Sequence, residues 1–169
     1  MTLLTIDKLK LYNLLFNLEE KFGDKEVGRI IQILLALNLI TLNFKVSNFQ
    51  LTGEPDFNAI NEKQKLCTEV KTTRQEHIDI TKQILKSISV PGFIPTLAVL
   101  FISPTETEWK IIDARKIKSG RLNRFSFNKY SMHDIETLVN KYFFYTVQKY
   151  YERTENGTEA LYPELKRLL

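Results

Sequence analysis

The hydrophobic period of this chain changes near residue 42, and that change restricts it to folds in which helices cover a sheet. Before the change, residues 5–22 repeat apolar side chains at Ile6, Leu9, Leu15, Leu18 and Phe22, close to helical spacing, with Gly23 as a stop. Asp24 reads as the N-cap of a second helix reaching about Leu39, with Val27, Ile30, Ile31, Leu34 and Leu35 on its buried stripe. The pair predicts a helical hairpin. After the change, residues 42–51, 56–60 and 65–71 alternate in part, with turns at 53–55 and 61–63, and predict an antiparallel meander. Residues 74–89 return to helical spacing through Ile78, Ile84, Leu85 and Ile88, and Pro91-Gly92 ends them. The run TLAVLFI at 96–102 fits a strand covered on both faces. Glu108–Asp113 reads as another strand, and Ser131 opens one long final helix, with Asp134 three residues on as a weak capping box. The predicted order is ααβββαββα in one domain, 1–169, since no repeat, low-complexity tract or linker divides it.

A chain of 169 residues can bury about two thirds of its unfolded surface and needs no disulfide or structural metal to fold. The single cysteine, Cys67, excludes an internal disulfide and a cysteine-cluster zinc site, and points to a reducing cytoplasm, a host's if the chain is viral. The most apolar stretch, residues 30–40, is interrupted by Gln32 and Asn38 and falls short of a membrane span of about 20 residues. Neither export nor membrane insertion is expected.

The net charge of +4 is unevenly spread. Residues 110–129 hold seven bases (Lys110, Arg115, Lys116, Lys118, Arg121, Arg124 and Lys129) against Asp113, a local +6 that leaves −2 for the remainder. Such a segment is either a phosphate-contacting surface or a solvated hairpin.

Asp56 follows Pro55 at the start of one predicted strand, Glu69 lies 13 positions on near the end of the next, and Lys71 is two further. Alternate residues of a strand share a face, so Glu69 and Lys71 project together. If the two strands pair, the two carboxylates converge. That donor set suits a hard cation such as Mg²⁺ or Mn²⁺, which keeps several waters, and the lysine can hold or deprotonate an attacking water. Hydrolysis of an anionic phosphodiester needs such a site, because the metal offsets the substrate's charge and acidifies the water. The competing reading is a turn aspartate beside an ordinary cross-strand ion pair.

Pro55-Asp56 followed by Glu69-Val70-Lys71 resembles the signature of the PD-(D/E)XK, or restriction-endonuclease-like, nucleases. The resemblance covers a core of about 24–113 and implies an α/β fold: an αβββαβ core with a mixed central sheet, here with an N-terminal helical hairpin and a C-terminal helix. It implies a Mg²⁺- or Mn²⁺-dependent deoxyribonuclease in which Asp56, Glu69 and the Val70 carbonyl bind the metal while Lys71 positions the water. Many members add an acid from the preceding helix. Glu26 fits that place or, alternatively, complements the helix dipole, with Glu19 and Glu20 as further candidates. Gln83 is similar to a glutamine that several subfamilies set near the site. Ser87 stands where RecB-like members carry a tyrosine, which disfavours them. The compact layout, with its GEPDF and EVKTT segments, is similar to archaeal Holliday-junction resolvases, which are compact dimers, or to small viral nucleases. The alternative of another class is a catalytically silent nucleic-acid-binding module of the same fold.

Thr72 and Thr73 either donate hydroxyls to phosphate or simply end a strand, and Arg115, Lys116, Lys118, Arg121 and Arg124 are the candidate DNA contacts. His77 and His133 read as surface residues on helices, Cys67 as a buried thiol, and Asn156-Gly157-Thr158 as a turn. Ile135, Leu138, Val139 and Tyr142 form a stripe that can pack on the sheet, and Phe143, Phe144 and Tyr145 exceed what one buried helix face requires, so either they serve a symmetric homodimer or they pack in the core.

Overall fold

The first helix ends where Gly23 takes a left-handed conformation (φ +82), its N–H closing on the Glu19 carbonyl at 2.8 Å. The computed structural model describes residues 5–169, with side chains from Lys8 onward. Its opening elements are α1 (Thr5–Phe22) and α2 (Asp24–Thr41). Gly23 is both the stop of α1 and the N-cap of α2, so Asp24 is the first helical residue and not the cap that the sequence suggested. On α1 the buried stripe is Leu11, Leu15 and Leu18, whereas Leu9 is 45% exposed, and Ile6 lies outside the described side chains.

From Ile30 to Leu39 every residue of α2 is buried, so this helix is central and covered on all sides. Of its two buried polar residues, Gln32 donates to the Gln50 carbonyl at 2.5 Å and Asn38 to the Thr146 hydroxyl at 2.9 Å, while the Asn38 Oδ1 has no hydrogen-bond partner.

The sheet runs β1 (Lys45–Ser47), β2 (Phe57–Ile60), β3 (Lys65–Thr73), β5 (Ile94–Phe101), β6 (Glu108–Asp113) in spatial order. The first three form the expected antiparallel meander, β3 and β5 are parallel from Leu66↔Ile94 to Thr73↔Phe101, and β6 returns antiparallel. A parallel pair needs a crossover, and α3 (Lys82–Ile88) lies within it. The sheet is mixed, and α2, β1 to β3, α3 and β5 reproduce the αβββαβ order. Leu66, Ala98 and Leu100 pack on one face against α2, while Cys67, Leu97, Val99 and Phe101 pack on the other against Ile84, Ile88 and Phe127. That double coverage explains the unbroken apolar run of β5.

Two segments depart from the sequence reading. Residues 74–89 are not one helix. His77–Ile80 is strand β4, paired with β7 (Gly120–Asn123), and the helix begins only after Thr81, whose hydroxyl accepts from the Ile84 N–H at 3.1 Å. The local HIDI alternation has period two, so His77 sits on a strand. The final helix is two helices, α4 (His133–Thr154) and α5 (Thr158–Leu168), broken at Gly157 (φ +82), and the hydroxyl of Ser131 bonds Glu136 at 3.0 Å instead of capping. α4 also closes the β6 edge, because Asn140 and Glu136 accept the Trp109 and Ile111 N–H groups at 2.8 and 2.9 Å. Phe143 and Phe144 are core residues, 1% and 4% exposed, with Phe143 edge-on to Trp109. The dimer surface sketched on them is therefore not a surface; of that group only Tyr145 is exposed, while Leu138 and Tyr142, expected to pack on the sheet, are exposed as well.

Glu26 has a structural task. Its Oε1 accepts the Thr158 N–H at 2.7 Å, which caps α5 from a residue 132 positions away. The Thr158 hydroxyl and this N–H, with Arg29 nearby, hold the Glu26 carboxyl below its ordinary range, although only the N–H makes a well-formed bond. A carboxyl lowered by folding stabilises the fold above its unfolded value of about 4.3 and loses that contribution as pH falls through the folded value. Glu26→Ala should cost about 1 kcal/mol at neutral pH in chemical denaturation, and the difference from the parent chain should shrink as pH falls below about 4.3 and vanish below the lowered folded value.

Candidate active site

The register of β2 on β3 builds the site. Phe57 pairs with Thr68, and the Asp56 N–H continues the ladder to the Thr68 carbonyl at 3.0 Å, which sets Asp56 beside Glu69. Asp56 Oδ2 accepts the Val70 N–H at 2.7 Å, and Lys71 Nζ lies 3.1 Å from Glu69 Oε2. Asp56 and Glu69 are 8% and 2% exposed, while the Lys71 side chain is one-third exposed at 34%. Asp56, Glu69 and Lys71 are thus brought together as the sequence predicted.

Burial and, after it, the negative charge of Glu69 push the Asp56 carboxyl up to about 8, against the pull of the Val70 N–H. Glu69 is also raised, by burial first, then by the charge of Glu54, with Lys71 opposing. Glu54 precedes the Pro55-Asp56 pair, lines the same cleft and buries an Oε2 that has no hydrogen-bond partner. Glu69 Oε1 is likewise buried and unpartnered. The buried Asp56 and Glu69, with unpartnered oxygens on Glu69 and the neighbouring Glu54 and one lysine beside them, are short of positive charge that a divalent cation would supply. Among the described residues no three acidic, histidine or cysteine side chains gather closely enough to cage a metal unaided. The donor set is two carboxylates plus main chain, which fits a hard ion that retains water and not a closed zinc site. Cys67, 1% exposed, has its thiol pushed up by burial and by Glu69, so it is a packing residue and not a nucleophile.

The cleft in front of these groups measures about 520 Å³, and its opposite wall is α2, through Asp24, Lys25, Gly28, Arg29 and Gln32. Glu26 does not line it, because it is turned toward α5. Glu19 pairs with Arg74, and Glu20 is exposed outside the cleft. The helix acid at the cleft is Asp24, which the sequence reading spent on a cap. Gln83 is exposed on α3 and is not part of the cleft wall. Thr72 lines it, whereas the Thr73 hydroxyl accepts the Gln75 N–H at 3.0 Å.

The basic segment is mostly engaged. Arg124 is 3% exposed, donates to the Glu106 carbonyl and to Glu108 Oε1, both at 2.8 Å, and lies over the Phe101 ring. It is a structural cation and no phosphate contact. Arg115 closes on Asp113 at 2.9 Å, Arg121 on Asp79 at 3.1 Å and Lys110 on Glu108 at 3.5 Å, leaving Lys116, Lys118 and Lys129 as exposed bases without an ion pair among the described residues.

No family model and no curated protein matches this chain. Among solved structures it is similar to Hjc, a Holliday junction resolvase from the archaeal hyperthermophile Archaeoglobus fulgidus, with 15% identity over 60% of this chain and 93% of that one at a TM-score of 0.49. No described helix is long and apolar enough to cross a membrane.

The structural reading of Arg124 has a direct test. Arg124→Ala should cost about 3 kcal/mol in urea unfolding, because it strands Glu108, whereas Lys118→Ala should stay within about 0.5 kcal/mol. Equal stability of the two variants would return Arg124 to the surface.

Proposed function

We propose that this chain is a divalent-metal-dependent endonuclease that hydrolyses phosphodiester bonds in DNA. The observation that carries the reading is the buried pair Asp56 and Glu69, short of positive charge, with Lys71 beside it at the mouth of an open cleft. Asp56, Glu69 and the Val70 carbonyl are the groups that would hold Mg²⁺ or Mn²⁺, which when bound offsets the phosphate charge and lowers the pKa of a water.

The remaining chemistry belongs to the chain. The Val70 N–H fixes the Asp56 carboxylate, so one metal-facing oxygen is oriented before substrate arrives. Lys71, held by Glu69 on the shared face of β3, can donate to the attacking water and keep its lone pair toward phosphorus. Thr72 adds a hydroxyl at the cleft for a non-bridging phosphate oxygen. No covalent nucleophile is needed. Cutting both strands of a duplex or a four-way junction would require two such sites, and a homodimer is the simplest way to supply them.

The test is cleavage of single-stranded, duplex, flap and four-way-junction DNA with Mg²⁺, Mn²⁺ or chelator, with light scattering of the same samples. Asp56→Asn, Glu69→Gln and Lys71→Met should each slow cleavage by at least about a hundredfold without unfolding the chain. Calorimetry should show Mg²⁺ affinity lost in the first two variants and kept in the third. Full activity in Glu69→Gln, or cleavage that survives chelation, would sink the assignment.

A further inference from the structure

Gly28 stands in the interior of α2, where glycine is less favourable than alanine because it loses more backbone freedom on folding. Nothing in the folded chain demands it. Its backbone is not left-handed, and a Cβ built there meets no atom within 4 Å. It forms part of the cleft wall, one turn after Asp24 and Lys25 and one turn before Gln32, directly across from Asp56, Glu69 and Lys71. A bare helix backbone facing an open cleft serves close approach of a ligand.

Lys25 and Arg29 flank that bare position, and among the described residues neither forms an ion pair, although Arg29 lies near enough to Glu26 for its charge to be felt. With its carboxyls ionised, as metal binding requires, the cleft wall holds Asp24, Glu54, Asp56 and Glu69 against Lys25, Arg29 and Lys71, one negative charge in excess. A divalent cation at the carboxylate pair reverses that balance. The two cations of α2 then face a phosphate chain without local competition.

We infer that the first two turns of α2 seat the sugar–phosphate backbone of the substrate strand, which crosses Gly28 at closest approach while Lys25 and Arg29 contact the phosphates on either side. The inference rests on the DNA-hydrolase reading and assigns strand placement to α2 instead of the basic segment at 110–129.

The experiment uses the full chain carrying Lys71→Met, which keeps the metal-binding groups but does not cut. Fluorescence anisotropy reads its binding to duplex and four-way-junction DNA in Mg²⁺ across a salt series, beside thermal melts and Mg²⁺ calorimetry. Gly28→Ala should raise the melting temperature while weakening DNA binding, and Gly28→Leu should weaken it by about tenfold or more. Lys25→Ala with Arg29→Ala should flatten the logarithmic salt dependence by about two units of slope, while Lys116→Ala with Lys118→Ala leaves it unchanged. Mg²⁺ affinity should be the same in all of them. Folded Gly28→Leu that binds as tightly as its parent, or an unchanged slope in the Lys25/Arg29 pair, overturns the seat on α2. If the natural chain cuts DNA in that case, the hydrolase reading survives alone; if it neither binds nor cuts DNA, both fall.

Discussion

The bond from the Asp56 N–H to the Thr68 carbonyl, 3.0 Å long, fixes which residue of β3 stands beside Asp56, and side-chain alternation makes that choice decisive. A slip of one residue would send Glu69 and Lys71 to the opposite face together and leave Asp56 without its partner. The turn between the strands prevents the slip: the Asn61 side chain accepts the N–H groups of Lys63 and Gln64, both at 2.8 Å, and closes the hairpin at one length. The Val70 N–H then ties the Asp56 carboxylate to the same strand that carries Glu69. Position and orientation of both carboxylates thus come from one hairpin, which the parallel pairing with β5 locks into the core.

The acids of the neighbouring helix are distributed by phase. At 100° per residue, positions 24, 25, 28, 29 and 32 fall on one side of α2, and that side borders the cleft. Glu26 falls between that side and the buried stripe, where the start of α5 meets it. A helix terminus leaves N–H groups unpaired, and a carboxylate at hand satisfies one of them. The task given to Glu26 is therefore set by where α5 docks, and Asp24 is left as the acid at the cleft.

This separates what was readable in the sequence from what was not. Asp56, Glu69 and Lys71 could be placed because strand parity and a short hairpin are local properties. The double coverage of β5 was legible for the same reason, in its unbroken apolar run. Glu26 was ambiguous because its partner, Thr158, is 132 residues away. The basic segment was only partly legible because net charge counts cations without showing which are engaged: Arg124 is enclosed by Glu106 and Glu108, and the exposed Arg121 pairs with Asp79 across the β4–β7 pair. Strand β4 was absorbed into a helix since Ile78 also suits helical spacing, and only the pairing with β7, some 40 residues on, decides between the two periods. Phe143 and Phe144 looked surplus to one buried face. They are not surplus, because α4 packs on the sheet, on α1, α2 and α5 at once.

The carboxylate pair works against the fold that holds it. A carboxyl raised by folding binds its proton more tightly in the native chain than in the unfolded one, so stability falls as pH climbs from the unfolded value of about 3.9 through the folded value. For Asp56 that upper limit is about 8, and burial and Glu69 are the causes. At neutral pH the metal-free pair therefore destabilises the chain, and the unpartnered Oε1 of Glu69 and Oε2 of Glu54 add to the cost. Asparagine and glutamine at these positions would relieve the charge with the same shape. Under the proposed function a divalent cation would reverse the sign, because both carboxylates are then needed in their charged form. On that same reading the ion would leave the cleft net positive toward a phosphate chain, so that metal and substrate binding would be coupled through charge.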